Sequence, residues 1–549
     1  GSSLLEIGNS LSVIAGSRGD GSAGTWNIIA SNLGINPNNA KVISAALDRA
    51  NVNMKLVKNY CASYGGCDFS MTPGLIFDPG AVISKSSSVN TQLALDSEGQ
   101  LTIAGTINSS ETAPLDLILK SSESVLIETS AKIGIRQAKI EAPTVSVWGD
   151  LASYGGEGQM PWIAILAGRL LVTGTIRTNS RNNVSGRIYI HTNNEVLLDH
   201  NGIIAANGDD GGDIDLSSDG NITILGTIQT NGSSGRGGTV HLEAQNDILI
   251  QDASIMANGY DGGSITHISN SGNLTVQNST IQTNGSSGRG GTIAVSGYNN
   301  TLINNSTISS VGYIQGGRIL VGNDQKDQTL PFSKYTSLDS QTVISTNSML
   351  EAGGLIETSA HVLNLLGTIN AGRGGIWLID PYNVTIGASA SGTTYSSPYT
   401  TFTPLATSQI LASNIQTALN AGSSVTISTG SSGSDAGDIT VSSAISKTAG
   451  GNAVLTLTAS GSVIINNTIS SSSGTLGLTV TATNGSFSGT GNLSLNGGAL
   501  SVTQATSGTY SGILSGTGTT LTKLGAGTLT LSGDNSYTGN TTITLGTLQ

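Results

Sequence analysis

The chain has 549 residues, of which 75 are glycine, 10% charged and 4% aromatic. A hydrophobic content of 37% with a net charge of only −12 excludes a disordered chain, which combines low hydrophobicity with high net charge. A pI near 4.8 excludes nucleic acid as a partner, because phosphate binding needs clustered Lys and Arg, and no run of 18 apolar residues exists to span a membrane as a helix.

In chain order, the opening GSSLLEIG has neither a basic n-region nor an apolar h-region, so it reads as a cloning scar on mid-protein sequence rather than a signal peptide. Arg18-Gly19-Asp20 spells the tripeptide that integrins read, but in a Gly-rich turn an ordinary corner is the plainer reading. Cys61 and Cys67 flank a Tyr-Gly-Gly turn without metal-ligand spacing or a nearby His. The pair reads as a disulfide of an oxidising compartment, with two inert thiols as the alternative. Residues 1–150 form a first module.

From 151 to 322 the sequence becomes periodic. Ile176, Ile204, Ile228, Ile255, Ile281 and Ile308 follow one another at intervals of 24 to 28 residues. Asn207, Asn231, Asn258 and Asn284 each precede Gly, and Gly-Gly pairs begin at Gly211, Gly237, Gly262, Gly290 and Gly316. The phrase IQTNGSSGRGGT occurs at 228–239 and again at 281–292. Short alternating runs such as TVHLEA, DILI and ASIMA give three strands per period of about 26 residues.

Such a unit cannot bury its apolar side chains alone; coiled and stacked, successive units bury one another's. Alternation along a strand points Val240 and Leu242 inward and His241 and Glu243 outward. The fold class expected is all-β: a right-handed, three-sided parallel β-helix with one or two short helices in loops. A β-propeller would need four-stranded blades every 40–50 residues, and that period is absent. Asn and Gly are expected at corners, Gly for positive φ and Asn for hydrogen bonds to the next coil. Roughly twenty coils at ~4.8 Å per rung predict a rod on the order of 100 Å.

The ladder is interrupted after GGRILVG. Residues 323–341, a polar stretch, are expected to protrude as a loop and are a candidate interaction surface, a tolerated loop being the plainer alternative. Residues 342–490 form a second, diverged module. INAGRGGIW (369–377) repeats IAGSRGDGSAGTW (14–26), IQTALNAGSSVTIST (415–429) repeats ISAALDRANVNMKLV (43–57), and GSVIINNTISSS (461–472) repeats GQLTIAGTINSS (99–110). SQILASNIQTAL places Leu411, Ile415 and Leu419 on one face, which predicts an amphipathic helix there. Trp26 and Trp377 hold equivalent module positions and are read as core. Residues 491–549 are short β-strand repeats that break off mid-repeat, so the chain reads as a piece of a longer protein.

The segment GGLIETSAHVLNLLGTINAGRGGIWLIDPYNVTI (353–386), with GGRILVGNDQKDQTLPFSKYTSLDSQTVIST before it, resembles bacterial large exoproteins of the filamentous haemagglutinin, two-partner-secretion type. It departs from that pattern in carrying Asn323 where a second Gly would stand. The N-terminal copy, GTWNIIASNLGI, has lost the Asp-Pro. Residues 510–549 resemble the autotransporter-associated β-strand repeat. These resemblances imply export across the outer membrane of a Gram-negative bacterium through a transporter, a secreted or cell-surface location, a β-helical stalk and an adhesive role.

The candidate chemistry is sparse. Asp209, Asp210, Asp213 and Asp215 in NGDDGGDID are the acids that a glycosidase or lyase would need paired across a groove, but solvated corner charges are the simpler reading. His191, His200, His241, His267 and His361 are scattered. Arg236 and Arg289, one in each copy of the repeated phrase, are candidate contact residues for an acidic glycan, as are Asp209 and Asp210 for a ligand, against a solvated face. No catalytic residue, metal site or cofactor is assigned. The expectation is a non-enzymatic adhesin segment whose glycan or protein receptor the sequence does not name, with self-association of chains left open. A carbohydrate-active β-helix and a passive stalk of a toxin-delivery or scavenging exoprotein are the alternatives.

Overall fold

A computed structural model describes residues 24–30, 33–57, 74–154, 159–179, 186–323, 330–388, 407–430 and 436–549. The chain divides into two compact units, Gly1–Ser264 and Ile265–Gln549. Both are all-β parallel solenoids, with about 18 turns between them and two short helices among the described residues. Cys61, Cys67 and the Arg18-Gly19-Asp20 tripeptide lie outside the described residues.

In the first unit each regular coil carries three strands, as in Asp213–Ser218, Asn221–Ile224 and Thr227–Gln229. The next coil repeats them as Thr239–Ala244, Ile248–Gln251 and Ser254–Met256. Every residue of Asp213–Ser218 has a parallel partner one coil on, from Thr239 for Asp213 to Ala244 for Ser218. Val240 and Leu242 are fully buried while His241 and Glu243 stay partly exposed, as alternation requires.

The isoleucines that set the period form ladders. In the first unit Ile176 pairs with Ile204, Ile204 with Ile228 and Ile228 with Ile255. In the second Ile281, Ile308, Ile344 and Ile369 do the same. None of the eight is more than 2% exposed. Each contributes about 1.5–3 kcal/mol of burial, but only because the coils above and below supply the apolar contacts. Toward the C-terminal end aromatic rings enter the interior instead: Phe487 and Tyr510 stack with centroids 4.6 Å apart.

The corners differ from expectation in one physical respect. Asn does bridge coils there: the Asn231 N–H donates to Asn207 Oδ1 (2.7 Å) and the Asn258 N–H to Asn231 Oδ1 (2.9 Å). The glycines beside them, however, do not adopt positive φ. They are required for close approach. A Cβ on Gly237 would lie 2.0 Å from the Ala257 carbonyl oxygen, and one on Gly290 would lie 2.1 Å from that of Ser310. In these regular coils the left-handed non-glycine residues sit at a different corner, between the second and third strands, as Asp252, Asn278 and Asn305 do. Short polar side chains tolerate that conformation best.

Two helices take the place of rungs. Helix α1, Pro37–Leu47, is capped by Asn36, whose Oδ1 accepts from the Asn38 and Asn39 N–H groups (both 2.9 Å). It packs against Val82–Ser84. Helix α2, Ala412–Asn420, buries Ile415 and Leu419 and packs between Thr368–Asn370 and Ile445–Lys447, both third-face strands. The two helix ends are built alike. Asp48 Oδ1 accepts from the Ser86 and Ser87 N–H groups, and Asn420 Oδ1 from those of Thr448 and Ala449. Asp48 and Asn420, which occupy corresponding positions in the two similar sequence stretches, thus make corresponding bonds.

Of the segment 323–341, residues 324–329 lie outside the described residues, and the remainder does not stand away from the wall. Leu330, 6% exposed, covers the outward side chains of Ala294 and Leu320. Tyr335–Leu338 is a wall strand, paired with Asn300–Asn304 on one side and Val362–Leu365 on the other. Apolar residues on an outer wall need a cover, and Leu330 is placed to provide it.

Candidate functional site

Each copy of the repeated phrase forms a corner bonded to the neighbouring coil of its own unit. In the first unit Asp210 Oδ1 accepts the Arg236 N–H (2.7 Å), and its carboxylate fills the place that a Cβ on Gly235 would take. Asp209 accepts through its backbone carbonyl from Gly235 N–H (2.8 Å) and through Oδ1 from the Ser233 hydroxyl (3.3 Å). The Arg236 guanidinium is 3.8 Å from the Asp261 carboxylate, with its side chain 80% exposed. Asp209, Asp210, Arg236 and Asp261 are therefore brought together, and most of their contacts join one coil to the next. Arg289 is exposed at the second copy, in the other unit.

Asp213 and Asp215 part company with Asp209 and Asp210. They project outward from the following strand, Asp215 opposite Tyr189 and His241 and 3.9 Å from Arg187. The four acids do not face one another across a groove. Among the described residues no three His, Cys, Asp or Glu side chains gather as a metal site.

A cluster that the sequence displayed only as a string assembles in the second unit. Strand Leu355–Ser359 pairs with Ile376–Asp380, which sets Ser359 opposite Asp380. Trp377 is fully buried and donates its Nε1–H to Thr358 Oγ1 (3.1 Å). Trp26, its counterpart, is half-buried in Gly24–Ala30. Glu357, 1% exposed, accepts the Ser359 hydroxyl (3.1 Å). Burial first, and the Glu357 carboxylate second, push the Asp380 carboxyl up to about 7. Withdrawal from water disfavours the charged carboxyl, and a neighbouring carboxylate adds to that.

Beside them His361 and Tyr382 stack at 4.4 Å and share a hydrogen bond between Tyr382 Oη and His361 Nε2 (3.1 Å). Phe332 closes the cluster, 4.8 Å from His361 and 5.9 Å from Tyr382. Burial, with Lys334 nearby, holds the His361 imidazole below its ordinary value. Glu357, Thr358, His361, Trp377 and Asp380 all belong to the segment 353–386 that carries the family resemblance. That resemblance was the signal; the proximity was not legible.

Buried lysines were also missed. Lys85 and Lys447 each end an Ile-Ser-Lys triplet in the duplicated modules, and that repetition was their signal. Lys447 donates to the Ala449 and Gly450 carbonyls and to that of Ser473. Lys85 is 3.7 Å from Asp48. Burial lowers the pKa of both amines.

Residues 521–549 match the passenger-associated-transport-repeat model. Within that stretch the coils are short, Leu521 pairing with Thr541. No curated protein matches the chain. One solved structure similar to it is described as the crystal structure of the HMW1 secretion domain from Haemophilus influenzae. It is 15% identical, covers 70% of this chain and 94% of that one, and has a TM-score of 0.34.

Proposed function

We propose that the chain is part of a secreted or cell-surface β-helical passenger that acts as an adhesin, by presenting binding surfaces on a stacked scaffold rather than by turning over a substrate. The observation that carries this reading is the passenger-associated-transport repeat at 521–549, continuous with parallel coils. The resemblance of 353–386 to filamentous haemagglutinin-type exoproteins supports the adhesive role and export through an outer-membrane transporter. The coil-to-coil use of Asp209, Asp210 and Arg236 supports a scaffold role for that corner. Multivalent contact follows naturally from a surface repeated coil after coil, since linked weak sites gain affinity without new contacts.

The test is attachment. Beads coated with the full chain are expected to adhere to animal or bacterial cell layers well above albumin-coated beads, and free chain should compete. Adhesion equal to albumin, together with release of sugars from a polysaccharide panel, would replace this reading with the carbohydrate-active one.

A further inference from the structure

Three long strands of the first unit, Gln137–Val147, Trp162–Val172 and Arg187–Leu198, each run across two walls of the solenoid. The second and third lose register between Ala167 and Arg169. Gly168 permits the close approach there, because a Cβ on it would sit 2.5 Å from the Pro143 carbonyl oxygen. The wall sinks at this line of bends, leaving a groove of about 470 Å³.

Lys120, Glu141, Leu166 and His191 line the groove in direct register on four successive coils. Ala142 and Ala167 beneath are nearly buried, whereas Lys120 and Asn193 at the margin are exposed. The base is therefore apolar and the rim carries donors and acceptors at a rung spacing of ~4.8 Å. The fixed charges are already matched. Glu141 lies between Lys120 (4.0 Å) and Lys139, Arg169 is 3.1 Å from Glu195, and His191 presents its ring, with Nδ1 at 3.0 Å from the Ser217 hydroxyl.

An ionic ligand would have to break these pairs. A peptide strand finds no free ladder here, because the backbone of Trp162–Val172 is paired on both sides. What fits is a molecule with hydroxyls around its edge and C–H groups on its face, comparable in length per unit to one rung. Tyr189, 36% exposed and two residues before His191, adds an aromatic face alongside.

We infer that this groove is a binding site for a neutral oligosaccharide, lying along the column Lys120–Glu141–Leu166–His191. The inference rests on the adhesin reading and gives it a ligand class.

The experiment is calorimetric titration of the full chain with maltohexaose, cellohexaose, xylohexaose and mannohexaose, and with a heparin-derived hexasaccharide. At least one neutral sugar is expected to bind with a Kd on the order of 0.1–1 mM. Leu166→Arg and the milder Glu141→Gln should each weaken it about tenfold or more, about 1.4 kcal/mol. Lys132→Ala, exposed on the third-face strand Lys132–Ile135, should leave it unchanged, with all circular dichroism spectra alike. The idea is overturned if no neutral sugar binds at about 10 mM, if only the heparin fragment binds, or if both groove variants bind as the parent does. Cell attachment that persists in the groove variants would sink the groove alone and leave the adhesin reading standing.

Discussion

Asp380 illustrates how one residue's chemistry is set by the coil it lands in. Its carboxyl is pushed up to about 7 by burial and then by Glu357. Between about pH 4 and about pH 7 the folded protein holds a proton that the unfolded chain has already lost. Stability contributed by this residue is therefore present below about pH 4, falls as pH rises through that window, and is level above about pH 7. Asp380→Asn should flatten that slope and slow amide exchange of Leu355–Ser359 near pH 8. The gain is bounded by about 4 kcal/mol and is smaller after discounting for partial exposure. An unchanged exchange profile from pH 4 to 8 would contradict the assignment. Glycine gives a second residue-scale test. Gly237→Ala drives a methyl into the Ala257 carbonyl and should cost about 3 kcal/mol or more, whereas Gly451→Ala, with nothing within 4 Å, should stay within about 0.5 kcal/mol, both read from urea midpoints.

At the scale of elements, the notable feature is a helix serving as a rung. The 3.6-residue periodicity of SQILASNIQTAL was visible in the sequence, and Ile415 and Leu419 are buried as it required, whereas Leu411 ends the preceding strand Ser408–Leu411 and is only half-buried. What the helix does was not visible: α2 packs between two third-face strands, and Asn420 supplies the acceptor for two backbone N–H groups of the following coil. Leu419→Ala should cost about 2–5 kcal/mol. Because the loss is at the join, amide exchange should accelerate first in Ile445–Lys447, while the remote strand Thr520–Leu524 keeps its protection. The segment 323–341 shows the limit of reading polarity as exposure. Leu330 and Tyr335–Leu338 return to the wall because Ala294 and Leu320 turn outward there.

For the whole molecule, stacked repeats make stability a sum over coils and their interfaces. Deleting residues 213–238 removes one complete coil, since Thr239 then inherits the partner that Asp213 had, Arg187. That variant should fold, with cooperative melting and only a modestly lower midpoint. Deleting 213–225 instead puts strands and corners out of phase, and the first unit should become protease-sensitive; equal behaviour of the two deletions would refute coil templating. The sequence by itself determined the period, the Ile ladders, the three strands per coil, the helix at 412–420 and the resemblance to exported proteins. All of these depend on spacing along one chain, which repetition makes visible. The tertiary structure decided which side chains meet across coils: the Glu357–Asp380 pair, the buried lysines, the cover supplied by Leu330 and the groove at Gly168. Those contacts join residues one or more coils apart, and their chemistry depends on the burial and neighbours that only stacking creates.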